Sequence, residues 1–389
     1  MKHGLLRLTL VLGALAAFGP MSTDMYLPSL PTLARVFAAE GGAVQLTLAA
    51  SFVGLAIGQL VYGPLADRYG RKRPLYGGIV VFILASAGCA LAPTLDSLIV
   101  LRFVQALGGC AGIVIVRAVV RDLFEAQDAA RMFSRIMLVM GAAPILAPLA
   151  GGYLLVVFGW QSTFWTLAAF GALCLLGSVL WLPETRGKHA AVALSQALPG
   201  YLALLRDRRF LGFALAGGLA QAGMFAYISG SPQVFIDIHG VPAQHYGWLF
   251  GLNAFGLIAA SQVNRRLLRR HSARHVLQRM NAVNAILGVV LVLLAATGTL
   301  GFAGILLPLF GYVASLGMIF PNSQALAMAG QPGRAGTASA LIGTLQFGAA
   351  ALASALVAAL DDGTALPMAG VIAGCGLLAF AAGRWLAPR

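Results

Sequence analysis

The stretch "GPLADRYGRKRPL", Gly63 to Leu75, sets Asp67, Arg68, Arg71, Lys72 and Arg73 between two long apolar runs. Each flanking run approaches the roughly 20 residues that a helix needs to cross the hydrocarbon core of a bilayer. The charges cannot remain in hydrocarbon, so the loop belongs in water and its flanks belong in the membrane. Gly63 and Gly70 are expected to allow tight turns. Asp67 can face a helix N-terminus, and the arginines can pair with acids or anionic headgroups.

Working outward, the same alternation fills the chain. Of 389 residues, 59% are hydrophobic and 10% charged, against about 25% charged in a soluble domain. Apolar runs near helical span length recur throughout, and the ~10-residue alternating segments of a membrane barrel are absent. An all-α integral membrane protein is therefore expected. The net charge of +14 would suit nucleic acid, but basic residues also accumulate in cytoplasmic loops of membrane proteins, and the topology below accounts for them. No nucleic-acid partner is expected. Cys89, Cys110, Cys174 and Cys375 lie apart in apolar runs and read as packing residues. The histidines sit in loops or at span ends, so no metal site is expected. The opening "MKHGLLRLTLVLGALAAFG" has the look of a signal peptide, yet Asp24 continues the same helix, and an uncleaved first span is expected.

Twelve spans are expected, at about 5–29, 43–63, 74–93, 97–118, 134–157, 161–182, 209–232, 245–267, 275–297, 301–326, 335–359 and 364–386. The polar segment 183–208 divides them into six-helix bundles at 1–182 and 209–389. With both termini in the cytoplasm, nearly all of the 26 basic residues fall inside, Arg35 and Arg102 being the exceptions. Glu40, Asp96, Asp237, Asp361 and Asp362 fall outside. Two parallel six-span repeats suggest a transporter with its site at their interface. No nucleotide loop, metal cluster or nucleophile–base pair suggests an enzyme.

Two charges break the rule that spans are apolar. Asp24 lies in "FGPMSTDMYLPSLP", Phe18 to Pro31, and is the one acid placed deep in any span. Arg102 lies in "LIVLRFVQALGGCAG" of the fourth span, where Gly108, Gly109 and Gly112 allow close helix contact. At 1.5 Å per residue, each charge is about five residues from the outer end of its span, so the two share a depth. The fifth span carries "GAAPILAPLAGG", Gly141 to Gly152. Its small residues permit close packing, and Pro144 and Pro148 can kink the helix.

These motifs together resemble one family. "GPLADRYGRKRPL" matches the loop signature of the major facilitator superfamily. "LRFVQALGG" resembles the superfamily's proton-linked arginine motif, and "APILAPLAGG" resembles its antiporter motif, with Gly141, Pro144, Pro148, Gly151 and Gly152 as the motif residues. With "STDMYLPSLP", "RDLF" at Arg121 to Phe124, "GMFAYISGSPQVFI" and "AGTASALIGTLQFG", the chain looks like the bicyclomycin-resistance (Bcr/CflA) group of drug exporters. The resemblance covers essentially the whole chain. It implies the facilitator fold, an inner-membrane location and proton-coupled export of small drugs. It also implies a cytoplasmic latch of Gly63, Asp67, Arg68, Gly70, Arg71 and Asp122 near the helix that begins at Ala335. Some related exporters carry a second acid about two turns earlier on span one. Here that region is Ala16 and Ala17, which leaves Asp24 as the one obvious proton carrier.

On this reading Asp24 and Arg102 couple protons to transport. Burial favours the neutral acid and a nearby cation the charged one, so a conformational change could switch proton affinity. Drug and proton are expected to compete for the state with charged Asp24. The pocket should be apolar with a few polar groups. Its candidates are Met21, Tyr26, Gln105, Met137 and Met140 from the first half, and Phe225, Tyr227, Asn253, Gln346 and Phe347 from the second. The expected partners are a small-molecule drug, protons and the bilayer. No cofactor beyond the proton gradient is expected, and the chain is expected to act as a monomer. A carrier for a metabolite such as an amino acid is the alternative.

Overall fold

The computed structural model describes residues 2–39, 41–185, 194–331 and 335–386, and the described residues form helices and short turns without strands. The first apolar run is broken. Helix α1 (Lys2–Ala16) meets α2 (Phe18–Asp24), and the segments Leu6–Ala16 and Phe18–Val36 bend by 44°. Pro20 lacks the N–H that would bond the Ala16 carbonyl, which supplies the bend. A 3-10 turn, Leu27–Ser29, then leads into α3 (Leu30–Val36), with Pro28 and Pro31 at its starts. Asp24 therefore ends a short helix between two breaks.

Helix α4 (Leu46–Tyr69) runs through Gly63 and Pro64 without a turn, so the expected turn at Gly63 does not form. The helix stops at Gly70, whose φ of +88° lies in the left-handed region that glycine adopts freely. Then come α5 (Lys72–Ala90), α6 (Leu95–Leu123), α7 (Ala126–Phe158) and α8 (Gln161–Trp181). Thr94 and Ser97 cap α6 reciprocally, each side chain accepting from the other's backbone N–H at 3.2 Å. Helix α7 continues through Pro144 and Pro148. The connecting segment contains helix α9 (Leu194–Arg206), which packs on α10 (Arg208–Pro232) and α14 (Ala335–Ala359). Asp207 caps α10 by accepting from Arg209 and Phe210 N–H. A π-helical turn, Gln233–Ile238, extends α10 past Pro232. The remaining helices are α11 (Ala243–Leu267), α12 (Ala273–Thr297), α13 (Gly301–Met328) and α15 (Leu366–Trp385).

Among the described residues, ten helices are long and apolar enough to cross a membrane, and the bent first pair makes an eleventh. The expected eighth span, 245–267, is a continuous helix but too polar for that test. Helix α11 is built inside out. Asn253 and Asn264 are buried, Asn264 accepting from Asn322 at 2.8 Å, while Trp248, Leu252, Phe255 and Val263 are exposed. Polar groups satisfied within protein leave the apolar side chains to face outward, which lowers the mean hydropathy of the helix without making its surface polar.

Packing repeats. In the first half α4 and α5 pack on α6, and α5 on α8. In the second, α11 and α12 pack on α13, and α12 on α15. The halves meet where α4 crosses α14 and α7 crosses α11. This is the geometry of two parallel repeats around a central seam.

Candidate functional site: a buried acid at the seam

Arg102 is fully buried in α6. Its Nη1 donates to Ser22 Oγ at 3.1 Å and to Gln105 Oε1. Gln105 Nε2 donates to Ser86 Oγ at 2.7 Å, tying in α5. The guanidinium carbon lies 4.6 Å from the centre of the Tyr26 ring and 5.8 Å from that of Phe164, a cation–π arrangement. Tyr26 OH in turn shares a hydrogen bond with Thr47 at 2.8 Å. Arg102, Gln105 and Tyr26 thus form one network inside the first half, and Ser22, Ser86 and Thr47 are members that sequence reasoning missed. Arg102 Nε and Nη2 have no hydrogen-bond partner among the described residues.

Asp24 is 5% exposed. Among the described residues no ion pair joins it to Arg102, which corrects the expected pair. The Arg102 guanidinium lies against the Tyr26 and Phe164 rings, while the turn that follows Asp24, Leu27–Ser29, packs on α10 and α11 of the second half. Shared depth fixed only the height of the two charges. Gly151 holds this placement, because a Cβ there would overlap the Met25 carbonyl oxygen. Gly152 likewise lets α7 approach α11, a Cβ falling 2.6 Å from the Ala243 carbonyl oxygen. The antiporter-like motif therefore presses α7 against the break after Asp24 and against the other half. Gly141 faces Ile258 of α11 in the same seam.

The second half presents neutral groups. Asn253 Nδ2 donates to Tyr227 OH at 3.0 Å. Tyr227 stacks on Phe250 with ring centres 5.7 Å apart, and Tyr246 OH shares a hydrogen bond with Ser231 at 2.7 Å. Phe225 contacts Phe347 at 5.9 Å and Phe52 of α4 at 4.5 Å, so an aromatic row crosses the seam. Phe52 was not foreseen, since a single phenylalanine in an apolar span carries no signal. Gln346 lies beside Gly218. Met21 and Met140 are half-buried against the core, whereas Met137 is 60% exposed and joins neither cluster. A small cleft lined by Ser22, Thr23, Ser51, Phe82 and Ala106 opens beside the chain segment that bears Asp24.

At the two ends the seam differs. At one, Gln45 Nε2 donates to Gln233 Oε1 at 2.9 Å and so links the halves, and within the second half Gln233 Nε2 donates to Asp361 Oδ1 at 2.8 Å. At the other, Arg71 bonds Asp67 at 2.6 Å and Asp122 at 2.8 Å. Burial lowers the Arg71 pKa, but hydrogen bonds from its guanidinium to Asp122 and Asp67 outweigh this and leave it raised. Glu184 accepts from Arg71 N at 2.8 Å and Lys72 N at 3.1 Å, capping α5 from the connecting segment. Thr185 donates to Asp122 at 3.3 Å. The expected grouping of Asp67, Arg71 and Asp122 forms, joined by Glu184 and Thr185, which sequence reasoning missed. Arg68 stacks on Tyr69 outside it. Each partner named here belongs to the first half or the connecting segment. Residues 332–334, which precede the expected docking helix, lie outside the described residues.

Two packed helical repeats that meet at a central seam are an architecture of membrane transporters. The model of the Major Facilitator Superfamily matches residues 12–354, and the chain belongs to that superfamily. It is 39% identical over 345 residues to the uncharacterized MFS-type transporter YdgK of Bacillus subtilis, covering 87% of this chain and 85% of the relative. It is 32% identical over 382 residues to a bicyclomycin resistance protein homolog of Haemophilus influenzae, covering 98% and 96%. It is 29% identical to the multidrug resistance protein MdtL of Shigella dysenteriae, covering 86% and 83%. Among solved structures, the D-xylose-proton symporter superposes with a TM-score of 0.77 over 98% of both chains at 17% identity. That likeness is one of fold.

Proposed function

We propose that the protein exports small drugs in exchange for protons, by alternating access across the bacterial inner membrane. On this reading it is a twelve-span monomer with units at 1–182 and 209–389 joined by 183–208. Its termini and the Arg71 end lie in the cytoplasm. The Gln45 end then faces outward, and the amide chain there holds the outward path shut. The proton gradient supplies the energy.

The observation that carries this reading is Asp24. A carboxyl buried at the seam, with no ion-pair or hydrogen-bond partner among the described residues, loses much when charged and little when neutral. Such a group binds and releases a proton as the halves move and water reaches it. The Phe52–Phe225–Phe347 row that crosses the seam offers an apolar, aromatic surface that fits a small drug. Relatives named for bicyclomycin and multidrug resistance support drugs as the substrate class.

The test is a susceptibility panel in an efflux-deficient host, with proton release measured on adding drug to purified protein. Resistance to one or more drugs, with release that Asp24→Asn abolishes, is expected. No resistance to any drug, alongside altered efflux of one metabolite, would replace this reading with the metabolite carrier.

A further inference from the structure

We propose that Tyr227 and Asn253 are the second half's sensor of Asp24: Tyr227 donates to the carboxylate, and Asn253 accepts from the carboxylic acid. The inference rests on the reading of Asp24 as proton carrier and names the groups that turn its protonation into movement of α10 and α11.

The argument is one of donors and acceptors. A guanidinium has only donors. Arg102 spends Nη1 on Ser22 and Gln105 and keeps Nε and Nη2 without a partner. A carboxylate satisfies such donors, and a carboxylic O–H does not. Across the seam the deficit is reversed. Asn253 gives its amide N–H to Tyr227 OH, and its Oδ1 is a buried acceptor without a partner among the described residues. A carboxylic acid fills that acceptor, and a carboxylate is repelled by it. Because Tyr227 OH accepts from Asn253, its own proton is left to be donated elsewhere. Tyr246, the other buried tyrosine of this cluster, is already engaged with Ser231.

The remaining ionisable groups around Asp24 do not compete. Helix α7 carries none between Arg135 and Tyr153, and those of α1 end at Arg7, at the far end of the bent span. His245 is exposed at the start of α11. The turn that follows Asp24, Leu27–Ser29, packs on both α10 and α11, so Asp24 stands near the join, with a cation short of acceptors in its own half and an amide short of a donor across the seam. Neutral Asp24 binds the first span to α10 and α11. When its O–H bond breaks, the proton leaves to water in the open path and the Asn253 contact is lost. The carboxylate then keeps only the Tyr227 hydrogen bond to the second half while Arg102 attracts it towards the first, so the join between the halves at this level is weaker.

The experiment is a pH titration of purified protein by infrared difference spectroscopy, following the protonated-carboxyl band that Asp24→Asn removes. Asn253→Leu removes the acceptor for the acid, so the midpoint should fall by about one pH unit, a tenfold loss of proton affinity. Tyr227→Phe removes a donor to the carboxylate, so the midpoint should rise. Asn253→Gln, which keeps the carbonyl, should return it towards the native value. Thermal unfolding checks each variant, and if one does not fold the other decides. Midpoints equal to the native one, or shifts of the same sign in both, overturn the sensor while leaving Asp24 as carrier. A native protein with no band that Asp24→Asn removes overturns the carrier reading itself, and the sensor with it.

Discussion

Corresponding places in the two halves bury different chemistry. Where α5 packs on α6, Ser86, Gln105 and Arg102 form a network with a fixed positive charge. Where α12 packs on α13, Asn284 donates to Ser315 at 2.8 Å and to the Tyr312 carbonyl at 3.2 Å, without any charge. The backbone repeat is therefore not a repeat of function. One half holds a permanent cation, the other offers neutral dipoles and aromatic rings, and Asp24 sits near where they meet. On the proposed reading, such a division lets protonation of Asp24 change which half the first span prefers.

The comparison breaks most completely if the acid is not the moving part. Asp24→Asn should abolish proton-driven efflux in membrane vesicles and still insert, since removing an intramembrane charge relieves about 2.5–3.5 kcal/mol on the translocon scale. Normal efflux by this variant would end the argument. Next in size is packing at the seam. Gly151→Leu forces α7 off the Met25 carbonyl, and transport should fall at least tenfold at equal expression. The asymmetry of the halves is sharpened by a pair of truncations. Arg102→Ala strands Gln105 Oε1 and Ser22, whereas after Asn284→Ala the Ser315 hydroxyl still donates to the Tyr312 carbonyl. With about 1–3 kcal/mol for each buried group left unpaired, melting temperatures should fall further for Arg102→Ala. Smaller still is Glu184→Ala, which uncaps α5 at a cost of about 1 kcal/mol and should lower the melting temperature by a few degrees. The smallest effects belong to the bases between Arg265 and Arg279. They stand where the Gly63–Leu75 loop stands in the first half but lack its Asp and Gly, and single alanine substitutions should leave efflux near normal.

Much of this fold was legible because hydrocarbon imposes one rule on every span. The charged loop at Gly63–Leu75 and the long apolar runs located most helices to within a few residues. Helix α11 was placed at 245–267 as well and runs over Ala243–Leu267, although burial of Asn253 and Asn264 against protein goes with a lower mean hydropathy. The site was legible in height and not in azimuth. Counting residues put Asp24 and Arg102 at one level, but nothing local says which way a side chain points around its helix axis. That direction came from contacts distant in sequence, such as Met25 on Gly151 and Ser22 on Arg102. Glu184 was hidden for a similar reason, since a cap supplied from 113 residues away leaves no spacing to read.

The amide chain from Gln45 through Gln233 to Asp361 has a consequence for idling. Of these hydrogen bonds only Gln45 to Gln233 crosses between the halves, and at about 0.5–1.5 kcal/mol it favours the joined ends by a factor of roughly 2–13. A seal of that strength comes apart often at body heat, with or without cargo. With donor and acceptor both uncharged amides, its strength should barely change with salt, and spin-label distances between the Gln45 and Gln233 segments should keep the same distribution from low to high ionic strength. If the protein exchanges drug for protons as proposed, the barrier against wasted protons has to lie deeper than the seal, in whichever step forbids an empty, neutral carrier from completing its turn.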